Sequence, residues 1–304
     1  MTPTVTIAIP CLNAAQWLGA AIESALAQTA PGCDVIVVDD GSTDHSVEIA
    51  RGFGTRVQLI VGSHRGGNAA RNSALHAARG EWIQFLDADD YLEPPKIAQQ
   101  LAEAHDGADA DVIYSPVWIE DGHRTRSALD PTHDIFAQWI AWELPQTGGA
   151  LWRRSALLSL GGWKEDQLCC QEHELYARAL KVGLRFVFSP TAHAVYRIWS
   201  ESTVCRRDPR QLVRVKTQLI DELHSWLAGC GRWTREHQRL AGRACFEMAR
   251  TLARHDAAEA AAYHRERRAL RLVQLTGPAA PLRYRLIYHT LGFACAERLA
   301  ASSR

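Results

Sequence analysis

The sequence predicts an α/β protein of the Rossmann-like kind, with a mainly parallel central sheet followed by a helical region. Over roughly the first two-thirds of the chain, short β-branched runs alternate with helical patterns, which is typical of βαβ units. Charge divides in the same way: residues 206–304 carry 19 Lys and Arg against 9 Asp and Glu, whereas residues 1–205 carry 15 against 25. We therefore expect a first domain at 1–205 and a basic α-helical region at 206–304.

Each predicted strand is a short run rich in β-branched or apolar residues. The first, 5–10, ends at a proline. The second, 34–38, is an aspartate followed by an Ile/Val run, and Asp39 and Asp40 come directly after it. Such runs are typical of strands that are buried on both faces. By the same pattern we expect strands at 57–61, 80–90, 111–118, 147–152, 184–188 and 192–198.

Between these strands, apolar residues recur at helical spacing. The clearest early case opens at Asn13 and Gln16, which resemble a capping box, and continues with an apolar stripe of Leu18, Ile22, Ala25 and Leu26. After residue 209 only helical patterns remain, and two of them consist of strong helix formers. The other expected helices are 46–51, 69–78, 95–104, 155–160, 171–181, 241–252 and 257–272.

The stretch 80–90 carries the strongest chemical signal in the chain. Its apolar run 82–86 ends abruptly in Asp87, Asp89 and Asp90. In open α/β sheets, ligands bind outside the carboxyl ends of the strands. If the strand continued, Asp87 and Asp89 would project to one face, where Mg²⁺ or Mn²⁺ could lie between them and also hold substrate phosphates. The alternative is a solvated acidic turn without a ligand.

A second acidic cluster, 39–44, follows the second predicted strand. Arg71 lies on the predicted helix that precedes the stretch 80–90. A carboxylate in the cluster can accept a hydrogen bond from a nucleobase or a ribose, or it can cap the next helix. Arg71 can meet a diphosphate or pair with a surface acid. Both choices stay open at this point.

Several classes of protein are not expected from the composition. No apolar run is long enough to span a bilayer, and no signal-peptide pattern opens the chain. The eight cysteines show neither a Cys-x-x-Cys pair nor zinc spacing, so we expect reduced thiols in a cytoplasmic protein. Nucleic acid is not an expected partner, because the basic residues are interspersed along helices without a recognised binding motif.

Four short segments, in this order, carry a family resemblance. Residues 9–13 read Ile-Pro-Cys-Leu-Asn, 38–44 read Val-Asp-Asp-Gly-Ser-Thr-Asp, 70–72 read Ala-Arg-Asn and 85–90 read Phe-Leu-Asp-Ala-Asp-Asp. The series resembles the family 2 glycosyltransferases, which have the GT-A fold, and ordered motifs are more specific than any single one. The resemblance implies a nucleotide-diphosphate sugar donor (UDP favoured), Mg²⁺ or Mn²⁺, and inversion at the anomeric carbon.

The resemblance also implies roles for individual residues. Asp87 and Asp89 would form the metal-binding Asp-x-Asp motif of the family, with Asp89 as the direct ligand. Arg71 would lie near the diphosphate, and Pro10 with Asp40 would line the nucleoside pocket. The full set expected to contact the nucleotide sugar is Pro10, Asn13, Asp39, Asp40, Arg71, Asp87 and Ala88.

An inverting transfer also needs a base for the acceptor hydroxyl, which the family supplies from a Glu-Asp pair at the start of a helix ending in Leu-x-x-Arg. Residues 171–178 read Gln-Glu-His-Glu-Leu-Tyr-Ala-Arg. The register places Gln171 where the family has Glu, and Glu172 where it has the basic Asp. We expect Glu172 to be the base, as a first-turn acid, with Glu174 as the rival candidate.

A second departure from the family lies downstream, where many relatives have Tyr-Arg-x-His. This chain ends the pattern in Trp199, so either the metal shell lacks that imidazole or His193 replaces it; His193 can also be a polar residue of a strand. Trp199 can form a wall beside a sugar ring. On the acceptor side the resemblance also suggests Gly149, Trp152 and Trp163.

We therefore expect a metal-dependent inverting glycosyltransferase of surface-polysaccharide or glycolipid assembly, with a saccharide or lipid-linked acceptor. The basic helices of 206–304 can contact an anionic membrane surface, or they can form a solvated bundle. One alternative is a non-catalytic nucleotide-sugar-binding protein, suggested by Gln171 and Trp199. Another is a nucleotidyltransferase, although a Gly-rich, Lys-containing phosphate loop is missing near the first strand. The sequence does not indicate an oligomeric state.

Overall fold

The structure is a computed structural model that describes residues 5–105, 109–198 and 208–301. By its internal contacts the chain divides into two units: residues 1–131 with 143–200, and residues 132–142 with 201–304. The expected boundary at 205 lies outside the described residues. The inclusion of 132–142 in the second unit was not anticipated from the sequence.

The first unit holds the strands of two sheets. The larger sheet has the strand order β10-β6-β9-β4-β1-β2-β3, and the smaller has the order β5-β11-β7-β8. The strands are β1 (Val5–Cys11), β2 (Cys33–Asp39), β3 (Gln58–Val61), β4 (Trp82–Phe85), β5 (Tyr91–Leu92), β6 (Val112–Tyr114), β7 (Val117–Glu120), β8 (Arg124–Arg126), β9 (Ala150–Arg153), β10 (Phe186–Phe188) and β11 (Ala194–Arg197).

The larger sheet is mainly parallel, as the βαβ pattern predicts. Strand β1 lies between β2 and β4 and is parallel to both, whereas β9 is antiparallel to β4 and β6. Apolar residues predominate in β1 and β2, and Ile7, Ile9, Val35 and Val37 are completely or almost completely buried in the core of this unit. The central strands are therefore fixed from both faces, and their carboxyl ends open at one edge of the sheet.

Helices cover the sheet and build the second unit. In the first unit they are α1 (Leu18–Leu26), α2 (Ser46–Gly52), α3 (Gly67–Ala77), α4 (Lys96–His105), α6 (Arg154–Ser159) and α7 (Gln171–Lys181), and in the second α5 (Ile135–Ile140), α8 (Pro209–Gly229), α9 (Arg235–Ala253), α10 (Ala257–Ala269) and α11 (Leu282–Ala301). The expected α/β fold with helices after it is confirmed. None of the helices in the described part of the chain combines the length and apolar character that crossing a bilayer requires.

Two of the predicted strands are wrong in detail. The single strand expected at 111–118 is divided between the two sheets as β6 and β7, because Pro116 has no N–H to continue a ladder. The strand expected at 147–152 begins only at Ala150. Residues Thr147–Gly149 form a one-turn 3-10 helix in front of it.

The short helix α5 belongs with the C-terminal helices because of specific contacts within the second unit. Asp134 caps α5 by accepting hydrogen bonds from the backbone N–H groups of Phe136 and Ala137. The ring of His237 on α9 contacts the same carboxylate at 2.9 Å. Phe136 also packs on Trp226 of α8, with ring centroids 5.8 Å apart. These partners are remote in sequence, which is why periodicity alone did not reveal them.

Candidate active site

The residues predicted to bind a ligand follow three neighbouring strands of the larger sheet. In the register of the sheet, Cys11 of β1 lies beside Asp39 of β2, and Ala8 lies beside Phe85 of β4. The segments after β1, β2 and β4 therefore leave the sheet at the same edge. Pro10, at this end of β1, is half-buried.

The loops after β1 and β2 are tied to each other through Asn13. This residue has a φ of 50°, a left-handed conformation that asparagine adopts more readily than most residues. Its backbone N–H donates to Ser42 Oγ at 2.9 Å, and its Oδ1 accepts from the Thr43 N–H at 2.8 Å. Asn13 thus fixes the loop after β1 against the loop after β2, at the exposed edge of the candidate site.

Asp39 and Asp40 are both buried, but they have different partners. Asp39 Oδ2 accepts from the N–H groups of Gly41 and Ser42, whereas its buried Oδ1 has no hydrogen-bond partner among the described residues. Such an oxygen is costly unless a donor reaches it. Asp39 therefore combines loop capping with one unused acceptor, as expected if one side of it serves a ligand.

Asp40 fixes the loop after β3. Its Oδ1 accepts from the Arg65 N–H at 2.8 Å, and its Oδ2 accepts from the Gly66 N–H at 2.8 Å and contacts His64 Nδ1 at 2.9 Å. Sequence reasoning missed His64, since a single histidine in a Gly-rich turn carries no recognisable signal. The imidazole is largely exposed, with 64% of its side chain accessible, so it lies at the solvent side of this carboxylate.

The segment after β4 is a turn and not a continued strand. The strand ends at Phe85, and the Asp90 N–H donates to the Asp87 carbonyl at 3.0 Å, which closes the chain on itself. The expectation that Asp87 and Asp89 share one face of an extended strand is therefore wrong. Ala88 is buried within this turn.

Arg71 of α3 ties this acidic turn to the start of α7. Its Nη2 donates to Asp87 at 2.7 Å, and its Nη1 donates to Gln171 Oε1 and to Asn68 Oδ1 at 3.0 Å each. The guanidinium also lies over the ring of Trp163, 4.8 Å from its centroid. Arg71 is therefore not a surface ion pair but the buried link between two segments that were singled out separately in the sequence.

Burial and several nearby carboxylates shift the pKa values of Asp90, Tyr196 and Arg71 around the acidic turn. Burial, with Asp87 and Asp89 nearby, raises the pKa of Asp90 well above its ordinary value. Burial and the same group of carboxylates raise the pKa of Tyr196 to about 12. Burial alone would lower the pKa of Arg71, but Asp87, Glu172 and Asp89 outweigh it and raise that pKa. The site therefore concentrates more negative than positive charge in a partly dehydrated space.

Glu172 and Glu174, the two candidates for the base, have different surroundings. Glu172 is half-buried and accepts a hydrogen bond from Thr147 Oγ1 at 2.6 Å. Glu174 is buried, and both its oxygens pair with Arg178, at 2.7 and 2.9 Å. Because Arg178 also donates to the carbonyls of Leu160 and Gly162, this second pair has an evident structural role.

The acceptor-side residues are mostly packed inside the protein. Trp152 is 2% exposed and stacks on Tyr176, and Trp163 is 3% exposed, so neither ring presents an open face to a sugar in this structure. A Cβ on Gly149 would lie 2.4 Å from Pro145 Cβ and 2.8 Å from a backbone oxygen, so close packing within the chain accounts for this glycine. Trp199 lies outside the described residues.

His193 has a structural explanation. Its Nδ1 contacts Glu93 Oε2 and its Nε2 contacts Gln99 Oε1, both at 2.7 Å. His193 thus joins Glu93, which follows β5, to Gln99 of α4. These two contacts explain the histidine as a structural polar residue, which was the alternative to a metal ligand.

The acidic turn fits a divalent cation that is shared with a substrate. Among residues 5–105, 109–198 and 208–301, no group of three or more His, Cys, Asp or Glu is placed to hold a metal on its own. Mg²⁺ is usually bound through one or two carboxylates together with substrate phosphates and water. Burial, and after it the charges of Asp87 and Asp89, raises the pKa of Asp90, and a cation in this turn would offset those charges.

A separate cavity lies in the helical unit. It measures about 180 Å³ and is lined by residues at the end of α5 and on α8 and α9. None of the residues predicted to carry chemistry lines it. Since buried carboxylates and a buried guanidinium converge at the strand ends, that edge of the sheet is the candidate active site.

Comparison with known proteins gives a consistent assignment for the first half of the chain. A family model described as Glycosyl transferase family 2 matches residues 6–156. The putative glycosyltransferase EpsH of Bacillus subtilis is 34% identical over 127 residues, which are 41% of this chain and 37% of EpsH. The succinoglycan biosynthesis protein ExoO of Rhizobium meliloti is 39% identical over 112 residues, which are 36% of this chain and 32% of ExoO. The chain thus matches only about a third of the length of these relatives.

Solved structures match over nearly the whole chain. S. aureus TarS 1–349 in complex with UDP-GlcNAc has a TM-score of 0.62 at 16% identity, covering 99% of this chain and 92% of TarS 1–349. The mannosyltransferase PcManGT of Pyrobaculum calidifontis, in complex with GDP-Man and Mn²⁺, has a TM-score of 0.60 at 19% identity, covering 100% and 87%. At these identities the likeness establishes the fold, which is GT-A.

Proposed function

Because the chain belongs to glycosyl transferase family 2 through residues 6–156, we propose that it transfers a sugar from a nucleoside-diphosphate donor to a hydroxyl acceptor, with inversion at the anomeric carbon. UDP is the nucleotide we favour. Neighbours of the same fold were solved with UDP-GlcNAc and with GDP-Man, which supports a nucleotide-sugar donor here.

One observation carries the proposal. Arg71 contacts Asp87 at 2.7 Å and Gln171 at 3.0 Å, and Gln171 immediately precedes Glu172. The segment expected to meet the diphosphate and the segment expected to supply the base are thus joined through one buried cation. In an in-line displacement the base and the leaving group act on opposite sides of one anomeric carbon, so both must be held within one small site. This link joins the two segments that would supply them.

In the proposed step, the acceptor oxygen forms a bond to the anomeric carbon while the bond from that carbon to the diphosphate oxygen breaks. The acceptor proton passes to Glu172, and the nucleoside diphosphate leaves with the electron pair. Arg71 offsets part of the developing charge on the diphosphate. Proton transfer to a positioned base typically contributes about 10²–10⁴ in rate. Glu174 is the less suitable base, because both its oxygens are engaged by Arg178.

We assign a divalent cation, Mg²⁺ or Mn²⁺, to the acidic turn, with Asp89 as direct ligand and Asp87 beside it. When bound, the cation neutralises charge on the departing diphosphate. Pro10, Asn13, Asp39 and Asp40 would form the nucleoside side, where the unpartnered Asp39 Oδ1 is an acceptor for a donor group of the ligand. Ala88 lies in the same turn as the metal ligands.

The donor is identified first by a thermal-shift screen of UDP-glucose, UDP-GlcNAc and GDP-mannose, with and without Mn²⁺, since a ligand of the folded state raises its melting temperature. Release of nucleoside diphosphate from the best donor then measures turnover. We expect Glu172→Gln to lower that rate by about 10²–10⁴ while the thermal shift survives. Full activity of Glu172→Gln would reject the assignment, and a loss confined to Glu174→Gln would transfer the role to the rival.

The same screen tests the metal ligand. We expect Asp89→Ala to lose the Mn²⁺-dependent part of the thermal shift, whereas Asp34→Ala, an exposed aspartate at the opposite end of β2, keeps it. An unchanged Mn²⁺ effect in Asp89→Ala would remove Asp89 from the metal site. Nucleotide binding without any turnover in the wild type would favour the non-catalytic binding protein instead.

We also propose a cytoplasmic protein whose helical unit touches an anionic membrane, with a saccharide or lipid-linked acceptor. On α11, Leu282 and Leu286 are 67% and 62% exposed and lie one turn apart, next to the exposed Arg283. Apolar and basic side chains on one helix face favour an anionic surface. Co-sedimentation with vesicles containing phosphatidylserine tests this. Binding that is not weakened by Leu286→Asp would reject the α11 face.

A further inference from the structure

Thr147 is a hydrogen-bond partner of the proposed base. Its Oγ1 donates to Glu172 Oε1 at 2.6 Å, and Thr147 itself is buried. A hydroxyl that donates to a carboxylate favours the ionised form and fixes the orientation of the carboxylate. An ionised, oriented carboxylate is the state that a general base requires before the reaction begins.

The turn that carries Thr147 is held from the core by amides. Gln84 Nε2 donates to the Gly148 carbonyl at 3.1 Å, and Gln100 Nε2 donates to the Gly149 carbonyl at 3.1 Å. The amine of the buried Lys96 in turn donates to Gln84 Oε1. Buried polar side chains are costly unless they are paired, so the mutual pairing of Lys96, Gln84 and Gln100 with the turn stabilises one arrangement of this region.

The network leaves the turn little freedom. Gly149 has no space for a Cβ, and a Cβ on Gly148 would lie 3.2 Å from Ala194 Cβ, a tight but milder contact. The two glycines therefore let the turn pack closely against neighbouring segments, while the amides of Gln84 and Gln100 bind its carbonyls. The position of the Thr147 hydroxyl is therefore set by the packing and hydrogen bonds of the turn Thr147–Gly149.

We propose that Thr147 is a positioning residue for the base, and that the buried Lys96–Gln84 pair and Gln100 fix the turn that presents its hydroxyl to Glu172. This inference rests on the proposed role of Glu172. Thr147 need not touch either substrate. It acts by holding the Glu172 carboxylate in one orientation before the acceptor arrives.

The test compares Thr147→Val, which removes the hydroxyl at nearly constant shape, with Thr147→Ser, which keeps it. The assay is release of nucleoside diphosphate from the donor chosen by the thermal-shift screen, with Mn²⁺ and water as the acceptor. We expect Thr147→Val to lower kcat about 10- to 100-fold with KM for the donor unchanged.

The controls separate positioning from a loss of structure. Thr147→Ser should restore the rate, and Thr29→Val, at an exposed site of the same unit, should leave it unchanged. If Thr147→Val does not fold, Thr147→Ala carries the same comparison. A Thr147→Val variant that is slow only because its KM for the donor has risen, or a Thr147→Ser variant that is equally slow, would overturn the inference.

The outcomes also distinguish this inference from the proposed function. A wild-type rate in Thr147→Val, together with an inactive Glu172→Gln, would reject the role of Thr147 and leave Glu172 as the base. Equal rates for wild type and Glu172→Gln would reject the base, and with it the reason for the Thr147 contact.

Discussion

Replacing Arg71 by methionine removes the charged link between the acidic turn and α7 while keeping most of the side-chain volume. Three hydrogen bonds are lost, to Asp87, Gln171 and Asn68. The Arg71 side chain is 8% exposed, whereas that of Asp87 is 27% exposed. The cation is thus almost fully dehydrated, but water can reach its anionic partner.

The expected loss of stability follows from these contacts. A hydrogen bond to a charged group contributes about 1.5–3 kcal/mol, and breaking a fully buried ion pair costs about 3–5 kcal/mol. Because Asp87 can be partly rehydrated, the lower part of this range applies. We expect Arg71→Met to lower the free energy of unfolding by about 2–4 kcal/mol.

Urea unfolding, followed by tryptophan fluorescence, measures this change, since Trp163 lies directly under the guanidinium. The matched control is Arg65→Met: Arg65 pairs with Glu165 at 2.9 Å but is 63% exposed, so its loss should cost at most about 1 kcal/mol. If Arg71→Met and Arg65→Met were equally stable, Arg71 would not be the link that we infer.

Two further predictions concern the core and a turn of the same unit. Burial lowers the pKa of Lys96 far below its ordinary value. Unfolding therefore takes up a proton between that lowered pKa and about 10.4, and stability should rise with pH there by up to about 1.4 kcal/mol per unit; Lys96→Met should flatten this slope in urea titrations, and parallel slopes would contradict a neutral buried amine. A Cβ on Gly162 (φ +73°) would lie 2.5 Å from Asn72 Oδ1, whereas one on Gly161 (φ +79°) meets nothing within 4 Å. We expect Gly161→Ala to cost about 1–2 kcal/mol from backbone strain alone and Gly162→Ala clearly more; equal melting temperatures for the two variants would argue against the steric contact.

Much of the fold could be read from local patterns. The strands β1 and β2 and the helices α3 and α7 lie within a few residues of their predicted places, because continuous β-branched runs and helical spacing are strong local signals. The predictions failed mainly at the ends of elements. The strand expected at 80–90 ends at Phe85, and α1 begins only at Leu18, because Asn13 takes a left-handed conformation and does not cap the helix. Pro116 divides another expected strand between two sheets, and a 3-10 turn that includes the closely packed Gly149 precedes β9.

The candidate site divides in a similar way. The residue types at Asp87, Asp89 and Glu172 could be chosen from their order and spacing, and these choices stay predictions until the variants are measured. The pairing of Arg71 with Gln171, the Thr147 contact to Glu172 and the His64 contact to Asp40 left no trace in the sequence. Each joins segments that are distant along the chain, and a hydrogen bond between such segments has no periodicity to reveal it.

By itself, the sequence determined the family, the order of strands and helices, and the acidic residues that end the central strands. Only the tertiary structure decided which of those charges are paired, which are buried and which remain as unused acceptors. The physical reason is that secondary structure depends on neighbours within a few residues, whereas the charge state and orientation of a side chain depend on burial and on hydrogen-bond partners that folding brings together.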